Sequence, residues 1–296
     1  MELLRMLEGI RTPFFDTVIG IITQFGEETV GIVILCIIYW CINKRFAYVI
    51  GASFFLSGLT VQGAKIIFRI ERPWVIDPTM NPVPSALERA TGYSFPSGHT
   101  QAAASLFGAI GVQVRQKPIM IICFAIGILV AFSRMYLGVH TLLDVSVSLL
   151  IAFACVLISS RLLKDEEIDH KRAIINSAAI IVFALAVIAI ALSQYHAGMV
   201  EQRYVLDSLK AAGAAIGFSV GMYIERVYIK FPVKAKSIAG QIVKVVIGLI
   251  SVMALQEVLR WNFEPGPFSN LFRYFMLTFW ITVIYPYAIK RFFPGE

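Results

Sequence analysis

Three short stretches of this sequence place ionisable side chains at spacings suited to phosphate chemistry. In SRMYLGVHTLLD, residues 133–144, His140 and Asp144 stand four apart, which on a helix puts them on one face. A carboxylate bonded to one imidazole nitrogen fixes the tautomer and leaves the other nitrogen free to attack. It also stabilises the charge that then forms on the ring. The competing reading is a buried polar pair that ties helices together. It is weakened because a carboxylate inside an apolar helix is costly and needs a reason. Arg134 supplies a cation to the same stretch.

The second stretch is FPSGH, residues 95–99, at the head of an apolar run. Ser97 is placed as an N-cap, and Gly98 allows close approach to the backbone. The unpaired N–H groups and the helix dipole then face an anion. His99 stands where it could give a proton to an ester oxygen. A plain capped helix start with an interfacial histidine would look the same. The third stretch is KIIFRIERP, residues 65–73. Lys65 and Arg72 lie seven apart, two helical turns, so a continuous helix would present both on one face and end at Pro73. Two cations there make a phosphate clamp, although snorkelling toward lipid headgroups would use the same residues.

The elements that must position these groups follow from composition. Of 296 residues, 58% are hydrophobic and 15% charged, too apolar for an ordinary soluble domain. The apolar residues come in blocks, several near the ~20 that cross a bilayer. Residues 2–26 read as one or two amphipathic helices broken near Arg11-Thr12-Pro13, with 14–25 interfacial or re-entrant. Nine spans are expected, at 27–42, 46–68, 99–114, 118–132, 142–160, 173–193, 205–228, 238–259 and 271–289. The fold class is therefore all-α, a polytopic transmembrane bundle. Its expected divisions are an N-terminal segment 1–26, a five-helix core 27–160, a charged loop 161–172 and a four-helix module 173–296.

Nine crossings put the two termini on opposite sides. Lys44, Arg45, Arg115, Lys117, Arg161, Lys164, Arg226 and Lys230 then share one face, which the positive-inside rule makes cytoplasmic. The loop 69–98 and the turn 134–141 face away from the cytoplasm, as does the N-terminus, with the C-terminus inside. The net charge of +7 is explained by these loops rather than by nucleic acid. Cys36, Cys41, Cys123 and Cys155 sit in or beside apolar segments and form no metal or disulfide pattern. The N-terminus lacks a basic region followed by an apolar run, so an uncleaved first helix is expected. Gly213, Gly217 and Gly221 recur at every fourth position, a stripe for close helix packing that would also serve a homodimer.

Taken together, Lys-x6-Arg-Pro, Pro-Ser-Gly-His and Ser-Arg-x5-His-x3-Asp, in that order, resemble the signature of the type 2 phosphatidic acid phosphatase superfamily. The likeness covers roughly residues 27–160. That superfamily holds lipid phosphatases, undecaprenyl pyrophosphate phosphatases, glucose-6-phosphatases and soluble vanadium haloperoxidases. The resemblance implies that His140 is the nucleophile, Asp144 its partner, and His99 the acid and then the base. It gives Lys65, Arg72, Ser97, Gly98 and Arg134 the phosphoryl oxygens. It implies a phosphohistidine and neither metal nor cofactor, the cations themselves stabilising the charge. The loop PVPSALE, 82–88, followed by TGYSF, 91–95, is similar to the sphingosine-1-phosphate phosphatase branch, which carries Thr where this chain has Gly98.

The expected protein is thus an integral membrane enzyme of a bacterial inner membrane or its equivalent, with its active site outside the cytoplasm. It would act on a lipid phosphate monoester, sphingosine-1-phosphate-like or phosphatidic-acid-like, with the bilayer as its other partner. Two alternatives stand beside it: an undecaprenyl pyrophosphate phosphatase, and a lipid transporter or scaffold working through the C-terminal helices.

Overall fold

The computed structural model describes residues 1–88, 90–163 and 169–292, and among these every regular element is a helix. Lys164 and the middle of the charged loop 161–172 lie outside the described residues. Among the described residues fourteen α-helices follow one another. They are α1 (Glu2–Gly9), α2 (Pro13–Thr23), α3 (Glu28–Ile37), α4 (Lys44–Phe68), α5 (Pro73–Ile76), α6 (Pro84–Leu87), α7 (Gly98–Val114), α8 (Lys117–Tyr136), α9 (Leu142–Leu162), α10 (His170–His196), α11 (Gln202–Ile224), α12 (Ile238–Asn262), α13 (Pro267–Phe279) and α14 (Tyr285–Phe292).

The expected break at residues 11–13 is present. Thr12 caps α2, its side chain accepting from Phe15 N at 3.3 Å, and Pro13 opens the helix. α2 runs on into a second helix, as a broken span or a re-entrant loop would. A 3₁₀ turn, Gln24–Gly26, links it to α3 with a bend of 52°. Among the described residues six helices are long and apolar enough to cross a bilayer, or seven if this bent pair is one broken span. The expected count of nine is not reached. α7 has 17 residues, about 25 Å at 1.5 Å per residue, and most of it is buried among other helices. The last helical stretch carries Asn270 and Arg273 and ends in Lys290 and Arg291.

The largest apolar cluster draws on α3, α4, α10, α11 and the C-terminal helices together, including Trp40, Leu59, Val187, Phe218 and Tyr285. Two π-helical turns meet in it. At Ile38–Ile42 and Trp280–Ile284 the wider turn changes which carbonyls the helix itself can bond. Tyr39 OH donates to Thr282 O at 3.1 Å, and Trp40 Nε1 donates to Ile281 O at 3.2 Å. A buried carboxylate adds a second tie. Glu225, in a third π turn at the end of α11, accepts from Lys44 Nζ at 2.8 Å, from Phe231 N at 3.2 Å and from Tyr48 OH. Lys44, Arg45, Arg226 and Lys230 line one cavity, so these four basic residues do share one end of the bundle.

The glycine stripe is used inside the chain. A Cβ at Gly213 would run into the Leu271 backbone, one at Gly217 into Phe275 and Thr278, and one at Gly221 into Thr282. Thr278 Oγ1 donates to Ala214 O at 2.9 Å across the same seam. The expected homodimer along α11 is therefore corrected: α13 and the turn after it already occupy that face. Replacing Gly217 by Leu is expected to cost about 1–3 kcal/mol through overpacking. Gly20, whose Cβ position has no neighbour within 4 Å, should accept Leu with little change. Thermal unfolding in detergent compares the two, and equal melting temperatures would show that the seam is not tight.

Candidate active site

The loop between α4 and α7 and the turn between α8 and α9 meet at one end of the bundle. Ser97 N donates to Asp144 O at 3.3 Å, and Val83 N donates to Leu137 O at 3.0 Å. The turn is shaped by Gly138, whose φ of +78° suits glycine. A Cβ there would also lie 2.8 Å from Arg11 Nη2 and 3.2 Å from Pro82 Cα. Arg11 Nε donates to Tyr136 O at 2.9 Å, so the N-terminal segment braces the turn.

His140 and Asp144 are brought together, but not on one helical face. α9 begins at Leu142 with Thr141 as its N-cap, and His140 precedes the helix. A capping box makes the meeting. Thr141 Oγ1 accepts from Asp144 N at 3.3 Å, and Asp144 Oδ2 accepts from Thr141 N at 2.7 Å. The same Oδ2 accepts from Ser94 Oγ at 2.6 Å. It lies 3.5 Å from His140 Nδ1, a looser contact than a hydrogen bond.

On the other side of the ring, Arg72 Nη1 is 2.9 Å from His140 Nε2. A guanidinium only donates, so Nε2 is the acceptor and the ring proton sits on Nδ1, facing Asp144. The nitrogen carrying the lone pair is thus Nε2. Both His140 and Asp144 are 1% exposed. Burial, and then the positive charges of Arg72, Arg134, Lys65 and His99, hold His140 well below the usual imidazole range. At neutral pH the ring is neutral, the form in which an imidazole nitrogen can attack.

The Lys65–Arg72 spacing needs a correction. α4 ends at Phe68, and Arg69 adopts a left-handed conformation with φ of 51°. The chain then turns, and Arg72 becomes the N-cap of α5, which Pro73 opens rather than closes. The two cations reach one area by different routes. Arg72 Nε donates to Gly92 O at 2.8 Å and Nη1 to Val139 O at 2.9 Å. Lys65 lies beside Gly92, in a small pocket shared with Tyr93, Tyr204 and Asp207. Tyr204 and Asp207 belong to α11, so the C-terminal half reaches the rim of the site.

Ser97 caps α7, its Oγ accepting from Thr100 N at 3.4 Å. A Cβ at Gly98 would meet nothing within 4 Å. No protein neighbour demands glycine there, and the space before the helix N-terminus stays open for an anion. His99 Nε2 is 3.0 Å from Glu27 Oε1. Arg134, in the last turn of α8, donates from Nη1 to Thr23 Oγ1 at 2.9 Å.

Sequence reasoning missed Ser94, Thr141, Thr23 and Glu27. Thr141 was legible as the Thr-x-x-Asp of a capping box. Glu27, an acid at the head of an apolar run, carried a weaker signal. Ser94 and Thr23 carried none, because they act across distances of 50 and 111 residues. Among the described residues no group of three or more His, Cys, Asp or Glu side chains could hold a metal ion.

Comparison with known proteins adds to this geometry. Residues 46–168 match the PAP2 superfamily, and residues 209–295 match the family described as PAP2 superfamily phosphatase, transmembrane extension. Phosphatidylglycerophosphatase B of Bacillus subtilis is 27% identical over 154 residues, 46% of this chain and 69% of that protein. The crystal structure of Aquifex aeolicus LpxE covers 54% of this chain and 93% of its own, with 26% identity and a TM-score of 0.48. A transmembrane PAP2 type phosphatidylglycerolphosphate phosphatase from Bacillus subtilis covers 55% and 83%, with 21% identity and a TM-score of 0.46.

Removing the Ser94 hydroxyl takes one of the donors from a buried carboxylate. Ser94→Ala should lower kcat/KM on a phosphate monoester about tenfold, equivalent to about 1.4 kcal/mol. Steady-state kinetics on the purified variant checks this, and an unchanged rate would show that Ser94 does not support Asp144.

Proposed function

Because the chain belongs to the PAP2 superfamily and carries both its domain and its phosphatase transmembrane extension, we propose that His140 Nε2 is the nucleophile of this membrane lipid phosphatase. The observation that carries the reading is the bond from Arg72 Nη1 to His140 Nε2, which leaves the lone pair on the nitrogen beside the cations. A phosphoryl group entering the site would draw Arg72 onto its own oxygens and free Nε2. Lys65, Arg134, the Ser97 hydroxyl and the Gly98 N–H are proposed to hold the equatorial oxygens with Arg72, stabilising charge as it spreads over them.

In the first step Nε2 bonds to phosphorus and the P–O bond to the lipid breaks. The leaving oxygen takes a proton from His99, and Asp144 stabilises the ring charge through Nδ1–H. In the second step water gives a proton to His99, its oxygen bonds to phosphorus, and the N–P bond breaks. Inorganic phosphate leaves. The chemistry needs no metal, since fixed cations carry the electrostatic work.

The substrate proposed is a lipid phosphate monoester. Phosphatidylglycerophosphate is the first to test, from the name of the relative in Bacillus subtilis. Phosphatidic-acid-like and sphingosine-1-phosphate-like monoesters follow, from the loop 82–95. The site is proposed to face away from the cytoplasm, since Lys44, Arg45, Arg226 and Lys230 gather at one end of the bundle. The division into a phosphatase core and a C-terminal module is likewise a proposal, with α11 contributing Tyr204 and Asp207 to the rim.

Phosphate release from liposomes tests this. The native chain should hydrolyse at least one of these monoesters faster than undecaprenyl pyrophosphate, and a chelator should not slow it. His140→Ala should abolish turnover, and Asp144→Asn should cost on the order of 10³–10⁴ in kcat, by analogy with triad carboxylates. Pyrophosphate preference over every monoester would overturn the substrate class, and retained turnover in His140→Ala would overturn the nucleophile. For orientation, cysteine at Lys230 should resist an impermeant label in intact cells, whereas ready labelling would reverse the proposed sidedness.

A further inference from the structure

The bent N-terminal pair α2 and α3 lies before residue 46, where the PAP2 superfamily match begins. Two of its side chains nevertheless hold site residues. Thr23, at the end of α2, accepts from Arg134. Glu27 Oε1 lies 3.0 Å from His99 Nε2, with the two side chains 22% and 17% exposed.

The bend creates this arrangement. After the turn Gln24–Gly26, Glu27 takes an extended conformation, φ −74° and ψ 135°, as the N-cap of α3. Gly26 lets the bend touch the head of α7. A Cβ at Gly26 would lie 2.7 Å from His99 O and 2.9 Å from Val130 Cγ1, closer than real Cβ contacts permit. Any larger residue there would push the bend, and Glu27 with it, away from His99.

We infer that Glu27 is the positioning residue for His99, an inference that rests on the phosphatase reading. Glu27 accepts the Nε2 proton of His99 and leaves Nδ1 to exchange protons with the substrate. As the His140 Nε2–P bond forms and the lipid P–O bond breaks, the Nδ1 proton passes to the leaving oxygen. As water then bonds to phosphorus and the N–P bond breaks, the water proton returns to Nδ1. The Nε2 proton stays in the bond to Glu27 through both steps. The carboxylate stabilises the protonated ring, the form that serves as acid in the first step and is restored in the second. Each histidine then has its own carboxylate, Asp144 for the nucleophile and Glu27 for the proton carrier.

The test uses the full chain in detergent and two substrates: an alkyl lipid phosphate, whose leaving group needs a proton, and a nitrophenyl phosphate, whose leaving group does not. Glu27→Gln should lower kcat/KM on the alkyl phosphate, which reports the steps up to departure of the leaving group, by roughly 10- to 100-fold, a part of the 10²–10⁴ that a whole acid–base group contributes. On the nitrophenyl phosphate the loss in kcat/KM should be about threefold or less, since departure of that leaving group needs no proton from His99. Glu27→Asp, which keeps the charge but withdraws it by one methylene, should show the same contrast at smaller size, and serves if the Gln variant does not fold. Glu27→Gln combined with His99→Asn should be no slower than His99→Asn alone. Equal losses in kcat/KM on both substrates, or losses that add to those of His99→Asn, would mean a structural role and overturn the inference. A native chain inactive on both substrates would instead overturn the phosphatase reading and this inference with it.

Discussion

A guanidinium, imidazole or carboxylate enclosed by apolar helices has lost its water, and the protein must supply whatever replaces it. That constraint governs this molecule. The bond between Arg72 and His140 is its sharpest expression: each buried group completes the other, and the direction of the bond decides which ring nitrogen keeps its lone pair. Asp144 answers the same demand with donors from Ser94 and Thr141. The proposed site is consequently poised at rest, with positive charge gathered around His140 and the ring, the proposed nucleophile, held neutral by burial and by the neighbouring cations.

Meeting the constraint takes residues from distant parts of the chain. His140, the proposed nucleophile, lies between α8 and α9, and Arg72, of the proposed clamp, follows α4. The open N-terminus belongs to α7, and the bend before α3 holds Arg134 and His99. Precise placement of so many pieces needs a stiff frame. The π turns that seat Tyr39 and Trp40 against the C-terminal helices, and the buried Glu225 that joins α4 to α11, supply it at the other end of the bundle. The C-terminal helices therefore do more than fill membrane. Their glycine seam packs α11 against α13, and α11 carries Tyr204 and Asp207 to the pocket beside Lys65.

The parts legible in the sequence were those with short-range signatures. Helices α4 and α7 to α12 follow apolar blocks, and Ser97 was recognisable as a cap. The three motifs named the residues that the structure gathers. What depended on backbone direction was not legible. Nothing in KIIFRIERP shows that Arg69 turns left-handed and takes Arg72 off the helix face. Likewise, four-residue spacing suggested a helical pair where a capping box is the actual device. The bend at Gly26 escaped because its reason, contact with His99 O, is tertiary. The glycine stripe was visible, yet a stripe does not say whether its partner is another copy or the same chain.

The central claim is that His140 Nε2 makes a covalent bond to phosphorus. Acid-labile, alkali-stable phosphate attachment tests it most directly. The native chain and His99→Asn are mixed with labelled nitrophenyl phosphate, whose leaving group needs no proton so that replacing His99 slows the second step alone, then quenched in alkali and digested for mass analysis. The account predicts phosphate on the peptide containing His140, accumulating when His99 is replaced. Phosphate on another residue, or turnover by His99→Asn with no covalent phosphate at any time, would contradict it.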